Sequence, residues 1–134
     1  MRWASLLREA LAVEGVVFEP MDVVGRGSVV FHVRPRAYET RRCSVCGQRC
    51  PLYDRGWGRR RWRALDLGTL RIDLEAEAPR IHCRRHGVVV ARVPWARRQS
   101  GFTTSFENTI AWWATQASKA AVTRYMRIAW RTVG

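Results

Sequence analysis

Two short chelating pairs, Cys43-x2-Cys46 and Cys83-x2-His86, constrain this chain more than any other feature of it. Three thiolates and an imidazole at such spacing close a tetrahedral zinc site with no open position, which is the structural type. A Cys-x2-Cys turn followed by glycine makes a tight knuckle whose backbone N–H groups point at the thiolates and lower their pKa. Gly47 allows the positive φ that this turn needs. Each knuckle belongs at the end of a β-hairpin, and the segment between the pairs has room for a strand pair. Cys50 is an alternative to His86 as fourth ligand, through a looser loop. His82 adjoins Cys83, but neighbours on a strand point to opposite faces, so it is expected to face away. His32 is expected to be a surface or core histidine. Neither pair lies beside a βαβ unit, which argues against a redox role.

The rest of the chain reads as α+β: a small zinc-stabilised β domain of ribbon-like hairpins, then a helical tail. Residues 1–14 predict an amphipathic helix, with Trp3, Leu6, Leu7, Ala10 and Leu11 at helical spacing and Gly15 as its stop. The zinc-binding β domain is expected over 15–95. It opens with a hairpin of strands 16–24 and 28–34 around Gly25-Arg26-Gly27, where Pro20 argues for a break or an edge. Leu70, Ile72 and Leu74 alternate on a half-buried strand that runs on towards Cys83, and Val88-Val89-Val90 predicts a last strand. A linker is expected over 96–102. In 103–134, Thr103 or Thr104 caps a helix that turns Phe106, Ile110, Trp113, Ala114 and Ala117 to one face. A second helix starts at Ser118 and holds Ala121, Val122, Tyr125 and Met126. A third begins near Ala129 or Trp130 and is cut at Gly134.

Charge narrows the function. Lys and Arg number 24 against 11 Asp and Glu, a formal net charge of +13, and Lys119 is the one lysine. Arginine forks onto phosphate and guanine edges, so the balance points to a nucleic-acid partner. Arg59, Arg60, Arg61 and Arg63 alternate around Trp62; with Arg97 and Arg98 they are the candidate phosphate contacts. The N-terminus acquires charge before any apolar signal segment forms, and no apolar run has the length of a bilayer span. The expectation is a cytoplasmic chain with reduced thiols, nucleoid-associated when bound to DNA, with no membrane or small-molecule partner.

The order of motifs then resembles a known family. Val33-Arg34-Pro35-Arg36, Cys43-x2-Cys46-Gly47 and Leu65-Asp66-Leu67-Gly68 lead to Arg80-Ile81-His82-Cys83-x2-His86-Gly87. Val93-Pro94-Trp95-Ala96, Phe102-Thr103, Phe106-Glu107 and Ile128-Ala129-Trp130-Arg131-Thr132-Val133-Gly134 follow. This is similar to the N-terminal region of bacterial IS-L-three family insertion-sequence transposases, in which a zinc domain and a helix-turn-helix precede a DDE catalytic domain. The resemblance implies zinc ligation by Cys43, Cys46, Cys83 and His86. It also implies contact between the terminal inverted repeats of the element and the helices from Ser118 onward, carrying Lys119, Arg124, Arg127, Trp130, Arg131 and Thr132. Arg127 stands in the turn where family members commonly show glycine; a positive φ there costs about 1 kcal/mol. No catalysis is expected of this stretch. With the third helix cut, phosphate contacts are expected to persist and much direct base readout to be lost. Two competing readings are an RNA-binding zinc ribbon, with Trp57 and Trp62 stacking on bases, and a protein-interaction or oligomerisation module acting on a full-length transposase.

Overall fold

The computed structural model describes residues 2–129, the side chains of residues 20–23 excepted. Helix α1 (Trp3–Leu11) leads into strands β1 (Val16–Gly25) and β2 (Ser28–Pro35), then a 3-10 turn (Ala37–Glu39). Strands β3 (Leu52–Asp54), β4 (Arg59–Arg63), β5 (Arg71–Glu77), β6 (Arg80–Cys83) and β7 (Gly87–Val90) follow, then helices α2 (Thr104–Gln116) and α3 (Lys119–Met126). The strands form two sheets. One has the order β1-β2-β5-β4, the other β3-β6-β7.

The expected hairpin is present, and Pro20 lies both on an edge strand and in its irregularity: the β1–β2 register shifts between Phe18 and Asp22. A proline has no N–H to give to a ladder, so it is tolerated at such a place. Helix α1 does not run to Gly15. It ends at Ala12, which takes the left-handed conformation (φ 51°), with the Ala12 and Val13 N–H groups returning to Glu9 and Arg8 carbonyls.

β5 buries Ile72, Leu74 and Ala76 and turns Arg71, Asp73, Glu75 and Glu77 outward, the alternation expected of a half-buried strand. It does not continue to Cys83. The chain leaves the first sheet at Ala78-Pro79 and enters the second as β6. β5 also pairs with β2 in parallel, from Ser28↔Arg71 to His32↔Glu75, which joins the β1–β2 and β4–β5 pairs into one sheet.

The main core lies on one face of this sheet. Leu11, Val16, Val33, Ile72 and Leu74 are buried there around Trp62 and Trp95, which meet edge to face at 5.4 Å. Residues expected to form a linker are tied to β4 instead. The Arg63 N–H donates to the Gly101 carbonyl (2.9 Å), the Thr103 N–H to Arg63 (2.9 Å) and the Thr104 N–H to Trp95 (2.8 Å). Trp95 and Ala96 are themselves in the core.

Thr103, one of the two caps the sequence offers, caps α2, and Ser118, where the second helix is expected to start, caps α3. The Thr103 and Ser118 hydroxyls accept from the N–H groups of Phe106 and Ala121. Phe106 and Ile110 of α2 meet Val122 and Met126 of α3 in a second, smaller core, with Leu65, Phe102, Ala117 and Ile128 against it. Of the expected apolar face, Trp113 and Ala114 do not join this core: residues 111–116 are exposed, and Trp113 rests on the exposed Tyr125 with ring centroids 5.9 Å apart. Arg127 closes α3 in the left-handed conformation (φ 54°), as its turn position implied. Its side chain returns to Asp66 at 2.7 Å, an exposed pair that offsets part of the backbone strain. The third helix, with Trp130, Arg131 and Thr132, lies outside the described residues. No helix among those described is long and apolar enough to cross a membrane.

Candidate metal centre and nucleic-acid interface

The first knuckle is folded by its own backbone. The Gly47 N–H donates to the Cys43 carbonyl (2.9 Å), the Cys43 N–H to Gln48 (2.8 Å), and the Val45 N–H points at Cys43 Sγ (3.4 Å). Gly47 has the expected positive φ, 76°. The second knuckle is the β6–β7 turn, closed by the Cys83↔Gly87 pair. A bridge between Cys43 and Ala91, just past β7, brings the two knuckles together.

Cys43, Cys46, Cys83 and His86 then offer four ligand atoms that all lie within 4.8 Å of one another. His86 Nδ1 is 3.6 Å from Cys43 Sγ and 3.5 Å from Cys83 Sγ, and Cys46 Sγ is 3.8 Å from Cys83 Sγ. A tetrahedron with Zn–S of about 2.3 Å and Zn–N of about 2.0–2.1 Å has edges of about 3.8 Å between sulfurs and about 3.6 Å from sulfur to nitrogen. The donor set and its spacing therefore fit zinc, with every tetrahedral position taken by protein, so the metal serves structure. Cys43 and Cys83 are buried; Cys46 and His86 are exposed at the rim.

Two of the three sulfurs have a thiol pKa lowered by their surroundings. The N–H groups of Arg85 and His86 outweigh burial and bring Cys83 down to about 7. Burial pushes Cys43 up, but the N–H groups of Cys46 and Val45 pull it below the ordinary thiol range. At Cys46 the Gln48 N–H lowers the pKa, and burial together with the Cys43 and Cys83 sulfurs more than reverses it. Cys50 stands outside the ligand cluster: it packs with Ile81 and directs its thiol to the Gln48 carbonyl at 3.3 Å. His82 is exposed, as strand alternation predicts, and His32 is half-buried beside Glu75 at 3.9 Å.

The arginines divide sharply. Arg63 is not a surface contact. It is 5% exposed, stacks over the Phe106 ring at 5.0 Å, and donates to the carbonyls of Met126 (2.9 Å) and Arg127 (3.1 Å). Alternation places it on the outer face of β4, and the α2–α3 pair covers that end of the face. Trp62 is likewise no stacking platform, at 2% exposed in the main core. Arg59 and Arg61 both reach Glu75, at 3.3 and 3.0 Å. Arg97 is held by Glu107 (3.0 Å) and Asn108 (2.9 Å). Arg60, Arg98 and Arg124 pair with no carboxylate among the described residues; Arg60 donates to the Ser100 carbonyl (2.7 Å) and Arg98 to Ser44 Oγ (3.3 Å). Lys119 is half-buried at the start of α3.

Two groupings were not apparent from sequence, although Arg60, Arg97, Arg98 and Trp57 were singled out individually. A groove of about 270 Å³ between β7 and residues 96–99 is lined by Arg60, Arg80, Arg92, Arg97 and Arg98, and by no carboxylate. These arginines are scattered along the chain, and only Arg97 and Arg98 adjoin. The other feature is a cluster of Tyr53, Trp57 and Arg80.

Comparison with known proteins agrees with this geometry. Residues 39–86 match the model described as the zinc-finger of transposase IS204/IS1001/IS1096/IS1165, and residues 91–134 match the helix-turn-helix domain of transposase family ISL3. The chain is 49% identical over 140 aligned residues to the transposase for insertion sequence element IS1557 of Mycobacterium tuberculosis, in strains CDC 1551 / Oshkosh and H37Rv. All of the chain is covered, but it spans only 32% of those relatives' length. No solved structure matches it. The zinc-finger and helix-turn-helix models together place the chain in the ISL3 transposase family, whose two domains it carries.

Proposed function

We propose that this region binds the terminal inverted repeats of an insertion element as double-stranded DNA, within the cytoplasm, and so positions a transposase on the ends it mobilises. The observation that carries the reading is the arginine-lined groove between the zinc ribbon and the segment leading into α2, in which Arg60 and Arg98 pair with no carboxylate among the described residues while Arg80, Arg92 and Arg97 are held by Asp54, Glu39 and Glu107. A phosphate backbone following it meets Arg60 and Arg98, while Arg124 is exposed on α3 beyond. Zinc holds one wall of the groove in place, because β7 is the strand that closes the second knuckle.

The test is competition between a terminal-repeat duplex, a scrambled duplex and single-stranded RNA for the zinc-loaded chain. The terminal repeat is expected to bind more tightly than the scrambled duplex, by well under the roughly thousandfold of a complete specific binder, since most contacts named here go to phosphate. Replacing Arg60 and Arg98 together by Ala should weaken both duplexes alike, by about tenfold or more. Tighter binding to RNA, or no duplex binding at low salt, would overturn the reading. Equal affinity for the two duplexes would overturn its terminal-repeat part.

A further inference from the structure

The turn Arg55-Gly56-Trp57-Gly58, which joins β3 to β4, holds Trp57 93% exposed, more than any other large apolar side chain among the described residues. An indole left in water serves no packing purpose, yet this one stands on a built support. Gly56 takes φ +69°, and a Cβ there would meet the Ala78 carbonyl oxygen at 2.4 Å, so the turn is pressed against the β5–β6 connection. The Gly56 N–H donates to Asp54 Oδ1 at 2.8 Å. The same carboxylate grips Arg80 at two points, Nε to Oδ1 at 2.9 Å and Nη2 to Oδ2. That grip holds the Asp54 carboxyl below its ordinary range and fixes the plane of the guanidinium. The guanidinium carbon lies 5.2 Å from the Tyr53 ring centroid and 5.9 Å from that of Trp57.

Two exposed aromatic rings flanking an immobilised planar cation make a platform for a flat π-system. The surroundings select which one. Arg55 pairs with no carboxylate among the described residues, and Arg80 also lines the arginine groove, so the platform stands at the end of a path suited to phosphates. In a closed duplex the faces of the bases are covered by their neighbours. We propose that Trp57, backed by Tyr53 and Arg80, stacks on an unpaired nucleobase of DNA, at a strand end or an opened base step. The proposal rests on the DNA-binding reading and deepens it.

The zinc-loaded chain is titrated with a blunt duplex and with the same duplex carrying a short single-stranded overhang that contains 2-aminopurine. Stacking on one aromatic side chain is worth roughly fivefold to a hundredfold in affinity. The overhang duplex should therefore bind about tenfold more tightly than the blunt one, with quenching of the 2-aminopurine. Trp57→Ala should bring it down to the blunt level and abolish the quench, with blunt-duplex affinity and zinc content unchanged; Trp57→Phe should retain part of the preference. Equal binding of the two duplexes by the parent chain, or an equal loss on both in Trp57→Ala, would overturn the stacking proposal alone. Failure to bind the blunt duplex at all would overturn the DNA-binding reading with it.

Discussion

Chelation of the zinc is expected to unfold the second sheet. The hydrophobic cluster of the ribbon consists, among the described residues, of Cys43, Cys50, Ile81 and Cys83, with Val89 and Ala91 packed against it, and two of those four are ligands. So little apolar burial cannot hold three short strands and two knuckles together in water. Structural zinc supplies on the order of 10–16 kcal/mol of apparent binding energy, as much as the whole stability of an ordinary domain. Amides of β6 and β7 should therefore lose hydrogen-exchange protection on metal removal. Those of β2 and β5, packed by the tryptophan core, should retain more. Cys83→Ser should behave like the chelated chain, and Cys50→Ser should keep one zinc per chain. Acidification should reproduce the loss, because protons compete with the metal for the thiolates. Undiminished protection of β6 and β7 in metal-free protein would contradict the structural role.

Arg63→Met is expected to destabilise the fold by about 3 kcal/mol, a drop of roughly 10 °C in melting temperature. The guanidinium is charged and buried, and it does the work of a helix cap. The last carbonyls of α3 have no intrahelical donors, and Arg63 supplies two N–H groups to them while Asp66 balances its charge at 3.4 Å. Burial lowers its pKa, yet the group remains positive throughout the working pH range. Removing it leaves carbonyls without partners and strips a cation from the face of Phe106. By contrast, Arg59→Ala or Arg61→Ala removes a pair at the surface and should cost under about 1 kcal/mol. Urea denaturation at fixed zinc saturation distinguishes the cases. A stable Arg63→Met protein with weakened DNA binding would mean that this arginine serves phosphate after all.

What the sequence made legible was local. Ligand spacing within a knuckle, a threonine cap at 103 or 104, a helix start at Ser118, the Gly25–Gly27 turn and the alternation of β5 each depend on residues a few positions apart, and each is found. The parallel pairing of β2 with β5 joins segments some forty residues apart, and no periodicity announces it. The same limit explains the arginines. Alternation puts Arg59, Arg61 and Arg63 on one face, but which of them an incoming helix covers depends on where α2 and α3 dock. Trp62 and Trp57 look alike in an arginine-rich stretch; one closes the main core and the other points into water. Gly15 misleads as a helix stop because Ala12 already adopts the terminating conformation.

The most direct test of DNA binding through the zinc-held arginine surface is the salt dependence of affinity for one fixed duplex, measured with the zinc-loaded chain. Each phosphate neutralised contributes about −0.9 to the slope of log K against log salt concentration. With Arg60, Arg98 and Arg124 each free of carboxylate partners among the described residues, a slope of about −3 or steeper is expected. A slope near zero in folded, zinc-saturated protein would contradict it.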